Sequence, residues 1–415
     1  MKSLIKKFIP SFLLSFYHLF LAFLGAVIYG FPSKKIKVIG VTGTNGKTTV
    51  VDLTTHILEK AGYKVASLSS IKFKIAEKER KNVLKMTMPG RLQIQKFLRE
   101  AVNNKCQYLV LEVTSEGIKQ HRHRFIDFQA AVFTNLTPEH IEAHGGFENY
   151  KKAKGKLFQT VKGIHIINID DENAQYYLQF KAKKKYTYGF DKGDINNKDI
   201  ALNLQLPAKF NIYNALAAIC LGLSQGISLA VCKKAVQGVK GVPGRMEEVI
   251  STPFKVVVDY AFTPNALEKV YQTLKPENAR RRDKSLLRPS LRLGQLICVL
   301  GACGGGRDKW KRPVLGKIAS KYCDEVIITN EDPYDEDPMK IIQEVAEGAG
   351  NKAKKIIDRR EAISKALKIA SPNDVIVITG KGSESLMCVA GGKKIPWDDR
   401  EAVKEENNKL TGLLK

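Results

Sequence analysis

The run Thr42-Gly43-Thr44-Asn45-Gly46-Lys47-Thr48-Thr49 has the residue types needed to hold a triphosphate. It follows a short apolar strand, Lys37-Val38-Ile39-Gly40-Val41, and opens a helical pattern from Val50 to Ala61. Glycines let backbone N–H groups close on phosphate oxygens, and the helix N-terminus adds positive dipole. Lys47 is placed to reach the terminal phosphates, and Thr48 offers a hydroxyl to Mg²⁺. The loop is shorter than the general G-x-x-x-x-G-K-[ST] form, but the strand, turn and helix context is the one such a loop requires.

Three further positions carry chemistry only in combination. Glu112 ends a second apolar run, Tyr108 to Val113, where parallel α/β sheets present catalytic acids. Phe133-Thr134-Asn135-Leu136-Thr137-Pro138-Glu139-His140 delivers a histidine into a loop, and Lys154 sits in a lysine-rich helix, Tyr150 to Phe158. Taken alone, Glu112 is a strand-end acid, His140 a capping residue and Lys154 one solvated lysine among many.

The elements that must position these groups alternate along the chain. Beyond Phe254, short apolar strands at 255–260, 296–300, 325–329, 355–357 and 374–379 alternate with helical stretches, the signature of a Rossmann-like α/β domain. The expected fold class is therefore α/β: a central P-loop ATPase domain with a mostly parallel sheet (34–245) and a C-terminal Rossmann-like domain (246–415). Gly301-Ala302-Cys303-Gly304-Gly305-Gly306-Arg307-Asp308-Lys309 lacks the G-x-G-x-x-G spacing of a dinucleotide loop. Ahead of both lies an uncharged stretch, Phe8 to Phe31, expected as a hydrophobic N-terminal helix within 1–33 and long enough to reach across a bilayer. Ser11, Ser15, His18, Ala22 and Gly25 put a small and polar stripe along one side. That stripe suits packing against protein or an in-plane position at a membrane surface, so contact through residues 8–31 and a soluble packing helix both stay open.

In a chain of 415 residues, 68 Lys+Arg against 42 Asp+Glu give +26, and 44% hydrophobic residues exclude disorder. No nucleic-acid signature accompanies the charge, so no nucleic-acid partner is expected; anionic lipid, a phosphorylated substrate or plain solvated lysines remain. The seven cysteines are odd in number and include no C-x-x-C pair. They suggest neither a disulfide framework nor a zinc ribbon, which makes a cytoplasmic setting the default, with any membrane association on the cytoplasmic face. A basic run at 280–292 is expected as a surface loop, with lipid headgroups as its sharper alternative.

The string T-G-T-N-G-K-T-T resembles the ATP site of the Mur ligases and of the related folylpolyglutamate and cyanophycin synthetases. Phe210-Asn211-Ile212-Tyr213-Asn214, Gly241-Val242-Pro243-Gly244-Arg245, Arg312-Pro313, Glu331-Asp332-Pro333-Tyr334 and Gly380-Lys381-Gly382-Ser383-Glu384 follow in that family's order, nearest to the tripeptide-forming type. The resemblance implies ATP, held by Gly43, Thr44, Asn45, Gly46, Lys47, Thr48 and Thr49, with Asn214 on adenine, Arg245 on the phosphates and Asp259 at the ribose. It implies two Mg²⁺ ions, with Thr48 at one and Glu112, His140 and a carbamylated Lys154 at the other. A bare ammonium beside Mg²⁺ would be repelled, whereas a carbamate is an anionic ligand. Thr87, Thr114, Gln120 and Arg122 would meet a muramyl-peptide acceptor; Arg307, Asp332, Pro333, Gly380 and Glu384 would hold the incoming amino acid. The activity implied is an acid–amino-acid ligase of peptidoglycan precursor synthesis, joining lysine or diaminopimelate to a muramyl-dipeptide through an acyl phosphate.

The departures carry information too. Tyr334 stands where the family's arginine clasps the distal carboxylate of diaminopimelate, so lysine or another diamine gains ground unless Arg307 or Lys381 compensates. Glu116, Phe262 and Ser383 replace family histidines. The resemblance begins near Tyr29, which leads to the expectation that the family's N-terminal UDP-binding domain is lacking. Rival readings are a related ligase on a lipid-linked, folyl or polyamide acceptor, and an ATP-binding membrane scaffold without catalysis.

Overall fold

A computed structural model describes residues 10–275 and 294–412. The basic run at 280–292 and the first two residues of the hydrophobic stretch lie outside them. The chain divides into two compact units, one of 1–138, 144–205 and 209–240, the other of 139–143, 206–208 and 241–415.

The first unit is built on a nine-stranded sheet. Its strands are β1 (Lys37–Thr42), β2 (Val65–Leu68), β3 (Lys72–Ile75), β4 (Lys78–Lys81), β5 (Tyr108–Glu112), β6 (Phe128–Phe133), β7 (Ile164–Asn168), β8 (Lys184–Gly189) and β9 (Ile195–Asn196). They lie in the order β4-β3-β2-β5-β1-β6-β7-β8-β9, parallel except for the antiparallel pairings of β3 with β2 and of β4 with β3. β5 is buried along its whole length, as expected of a central strand covered on both faces. Leu109, Leu111, Phe133, Leu157 and Phe158 join one core on this sheet. With β1 and β5 side by side in register Val41 to Glu112, the phosphate loop and the strand-end acid emerge at the same edge.

The second unit has a six-stranded sheet of β10 (Glu247–Ile250), β11 (Lys255–Asp259), β12 (Leu296–Leu300), β13 (Glu325–Ile328), β14 (Ala353–Lys355) and β15 (Val375–Thr379). The order β10-β11-β15-β12-β13-β14, parallel save for β10, is the doubly wound arrangement that the alternation implied. The strand expected at 355–357 lies two residues earlier. A small hairpin, β16 (Leu386–Cys388) with β17 (Lys394–Pro396), stands apart. Although the cysteine pattern suggests no disulfide framework, Cys298 in β12 and Cys323 at the end of the helix Lys311–Tyr322 are joined as a disulfide, with Cα atoms 6.0 Å apart. β12 pairs with β13, which begins two residues after Cys323, and this brings the two together; no local spacing announces it.

The N-terminal stretch forms the helix Ser11–Ile28. Among the described residues no helix is long and apolar enough to cross a membrane, so the reach across a bilayer is not realised. The small side does pack on protein: Ala22, Gly25 and Ala26 are buried, with Gly25 against the helix Arg91–Asn103. The large apolar side is left exposed.

Candidate active site

The first unit shapes the phosphate loop tightly. Gly46 caps the helix Lys47–Lys60 at φ +84°, and a Cβ there would lie 2.4 Å from Asn214 Oδ1. Gly43, at φ +148°, leaves no room for a side chain beside Thr134 Oγ1. Both positions therefore require glycine on conformational and on steric grounds. Asn45 N–H donates to Asn135 Oδ1 at 2.9 Å, Asn135 Nδ2 returns a bond to Asn45 O at 3.0 Å, and Thr134 Oγ1 donates to the same carbonyl at 2.7 Å. Thr44 Oγ1 bonds Thr137 O and the Tyr150 hydroxyl. Thr49 is buried in the first turn of the helix.

Two ammonium groups converge on this loop. Lys47 Nζ donates to Gly43 O and Thr44 O at 3.1 and 2.8 Å, and Lys154 Nζ donates to Gly43 O at 2.8 Å. Lys154 is 2% exposed and lies over the Tyr150 ring at 4.7 Å, so it is no solvated lysine. On the other flank Thr48 Oγ1 and Ser70 Oγ are 2.9 Å apart, and Ser70 N–H donates to Glu112 Oε1 at 2.9 Å. Thr48, Ser70 and Glu112 thus line up hard oxygen donors suited to Mg²⁺. Ser70 has no motif that names it, and Asn135 and Tyr150 stand out in sequence only as neighbours of His140 and Lys154; Ser70 and Asn135 reach the loop from strand ends, Tyr150 from the helix Phe147–Thr160. Asn214 is buried with its amide donating to Asn211 Oδ1.

A second cluster in the same unit surrounds Gln120. Arg91 donates to its carbonyl at 3.0 Å and to Oε1 at 3.2 Å, and Arg122 donates to Oε1 at 2.9 Å and also to Met88 O. Burial, then the neighbouring Arg91, hold the Arg122 guanidinium below its ordinary range. Two guanidiniums sharing one neutral amide are set to take an anionic group. Thr114 accepts from Gly117 N–H and Glu116 from Gln120 Nε2, while Thr87 lies half-buried beside Met88. Arg91 was not among the residues singled out in the sequence.

The second unit holds the remainder. His140 lies in 139–143, whose partners are Asp308, which accepts from Ile141 N–H and Glu142 N–H, and Lys311, paired with Glu139 at 2.8 Å. Asp332 is clamped by Lys381 Nζ at 2.9 Å to each oxygen and by Cys388 N–H. Lys381 also reaches Glu384 Oε2 at 2.8 Å and is fully buried, so it is committed to these two carboxylates. Glu384 Oε1 accepts from the Tyr260 hydroxyl, and Arg245 stacks on that ring at 4.3 Å. Pro333 is buried, and a Cβ added to Gly304 would lie 2.2 Å from its carbonyl oxygen; a Cβ added to Gly380, at φ +106°, would meet Glu331 Oε2 at 2.3 Å. Burial pushes the Glu331 carboxyl up, against the Cys303 thiol that donates to it at 2.8 Å, and its Oε2 has no hydrogen-bond partner among the described residues. Arg307 stands on the exposed part of the 301–309 loop. The Asp259 oxygens accept from Met246 N–H and Ala261 N–H, both at 2.7 Å, which holds the carboxylate in place at the end of β11.

Comparison with known proteins agrees with this division. Residues 41–222 match the Mur ligase middle domain and 244–382 the Mur ligase glutamate ligase domain. The chain is 39% identical over 413 residues to a UDP-N-acetylmuramoyl-L-alanyl-D-glutamate–2,6-diaminopimelate ligase of Syntrophomonas wolfei, covering 93% of this chain and 81% of that protein. A solved structure of a ligase of that name is 29% identical with a TM-score of 0.56, covering 91% of this chain and 79% of the other. In fold alone, the Mycobacterium tuberculosis folylpolyglutamate synthase complexed with ADP and AMPPCP is similar over 95% of both chains, with a TM-score of 0.69 at 16% identity. With its phosphate loop, its two sheets and these relatives, the chain belongs to the Mur ligase family.

Proposed function

We propose that this ligase extends a muramyl-dipeptide of the UDP-N-acetylmuramoyl-L-alanyl-D-glutamate type by one diamino acid, with ATP cleaved to ADP and phosphate. The observation that carries the reading is the pair Lys47 and Lys154 on the carbonyls of a phosphate loop whose sheet neighbour ends in Glu112. The relatives' names supply the acceptor and donor classes. The ATP requirement sets the reaction in the cytoplasm.

An acceptor carboxylate oxygen attacks the γ-phosphorus and ADP leaves, giving an acyl phosphate. The donor amine then attacks the acyl carbon, phosphate departs with the carboxylate's oxygen, and the amine's proton is lost to solvent as the amide forms. The chain contributes positioning and charge neutralisation more than covalent chemistry. Gly43, Thr44, Asn45, Gly46, Lys47, Thr48 and Thr49 hold the triphosphate, with Asn214 serving adenine and Arg245 the phosphates. Thr48 would hold one Mg²⁺, and Glu112, His140 and Lys154 as its carbamate would each serve as ligands to a second, where bound Mg²⁺ would offset charge on the transferred phosphoryl group. Thr87, Thr114, Gln120 and Arg122, with Arg91, grip the acceptor. Arg307, Asp332, Pro333, Gly380 and Glu384 shape the donor site. Product mass from UDP-muramyl-dipeptide, ATP and each of lysine, diaminopimelate and ornithine tests both substrates together; no mass gain with any of them overturns the reading.

A further inference from the structure

The helix Ser11–Ile28 has two unlike sides. On the protein side a Cβ on Gly25 would come within 3.3 Å of Leu92 Cα, so backbone meets backbone where the helix crosses the start of Arg91–Asn103. Ser15 Oγ lies 2.7 Å from His121 Nε2, and Phe23 meets Phe125 edge-on with ring centroids 5.3 Å apart. The other side carries Phe12, Phe16, Phe20 and Val27, at steps of four, four and seven, with Tyr17 and Ile28 beside them and Phe23 at its border with the protein side. Phe12 and Phe16 keep 69% and 68% of their surface exposed. At about 1.5 Å per residue this is an uncovered apolar stripe roughly 25 Å long, far beyond the scattered exposed side chains of an ordinary surface.

Basic groups flank the stripe. Lys34 and Lys35 follow it and are exposed, as is Arg124, next to the Phe125 that Phe23 touches. Arg99 holds the helix end by donating to Tyr29 O and Gly30 O. Lys2, Lys6 and Lys7 precede it in the sequence, and the whole chain carries +26. A second copy seated on the stripe in a two-fold pair would set like charges against each other. An anionic lipid surface complements them.

We infer that Ser11–Ile28 is an in-plane docking helix for an anionic bilayer, its aromatic stripe in the headgroup and upper acyl region and its flanking lysines and arginines on lipid phosphates. Docking sets the Gln120 cluster one helix away from the lipid, through the Ser15 to His121 and Gly25 to Leu92 contacts. The inference rests on the exposed stripe and its charge, not on the ligase reading.

Flotation of the full 415-residue protein with phosphatidylcholine vesicles, with and without phosphatidylglycerol, tests it. The expected result is binding to the anionic vesicles that weakens with salt and falls at least about tenfold in the double variant Phe16→Ser, Phe20→Ser. Lys34→Glu with Lys35→Glu and Arg124→Glu should abolish the preference for anionic lipid. Nucleotide binding serves as the folding control, and Phe16→Trp should show a fluorescence blue shift on adding anionic vesicles. No vesicle binding by the wild type, binding unchanged by the two serines, or a wild-type dimer in lipid-free buffer that the serines dissociate would each overturn it. Vesicle binding without ligase turnover would leave the helix inference standing and sink only the proposed reaction.

Discussion

Lys154 Nζ donates to Gly43 O at 2.8 Å, which places a buried lysine from the helix Phe147–Thr160 directly on the phosphate loop. If its working form is the carbamate, Lys154→Ala removes an anionic metal ligand. Turnover should fall by at least about 100-fold and recover in part with added small carboxylates such as acetate. Full activity in the unrescued variant would contradict the role.

Gly46→Ala should weaken ATP binding by about tenfold or more, because a left-handed backbone at φ +84° and a Cβ 2.4 Å from Asn214 Oδ1 penalise it together. Isothermal titration with a non-hydrolysable ATP analogue reads the loss, and unchanged affinity would contradict it.

The phosphate loop was legible because a strand, a glycine turn and a helix start are consecutive in sequence. The strand expected at 296–300 matches its observed bounds for a related reason: a short apolar run flanked by glycines leaves little freedom of register. What escaped was long-range. Ser70 meets Thr48 from the turn between β2 and β3, Arg91 meets Gln120 across 29 residues, and Asn135 staples Asn45 across 90. The two backbone N–H groups that hold the Asp259 carboxylate are likewise a product of the fold, one of them thirteen residues away in sequence.

Lys311→Ala should destabilise the second unit by about 3–5 kcal/mol, since it leaves Glu139, 3% exposed, without its ion partner. Burial, despite Lys311, already holds the Glu139 carboxyl above its ordinary value of 4.5. A raised acid contributes its stability below the unfolded value and loses it as pH rises through the folded one. Removing Lys311 raises the folded value further, so the destabilisation should grow from near pH 5 to pH 8 in urea melts, and Lys311→Ala with Glu139→Gln should flatten that dependence.

Donor choice should turn on position 334. With Lys381 committed to Asp332 and Glu384, Arg307 is the remaining candidate to clasp a distal carboxylate. Tyr334→Arg should therefore raise the kcat/KM ratio of diaminopimelate to lysine by about tenfold or more. An unchanged ratio would assign distal recognition to other groups.

The ligation itself is tested most directly by the fate of one oxygen. With the acceptor carboxylate labelled in ¹⁸O and both ATP and a diamino acid present, the account predicts that each phosphate released carries one labelled oxygen, with release dependent on the acceptor. Unlabelled phosphate, or ADP formed equally without the acceptor, would contradict it.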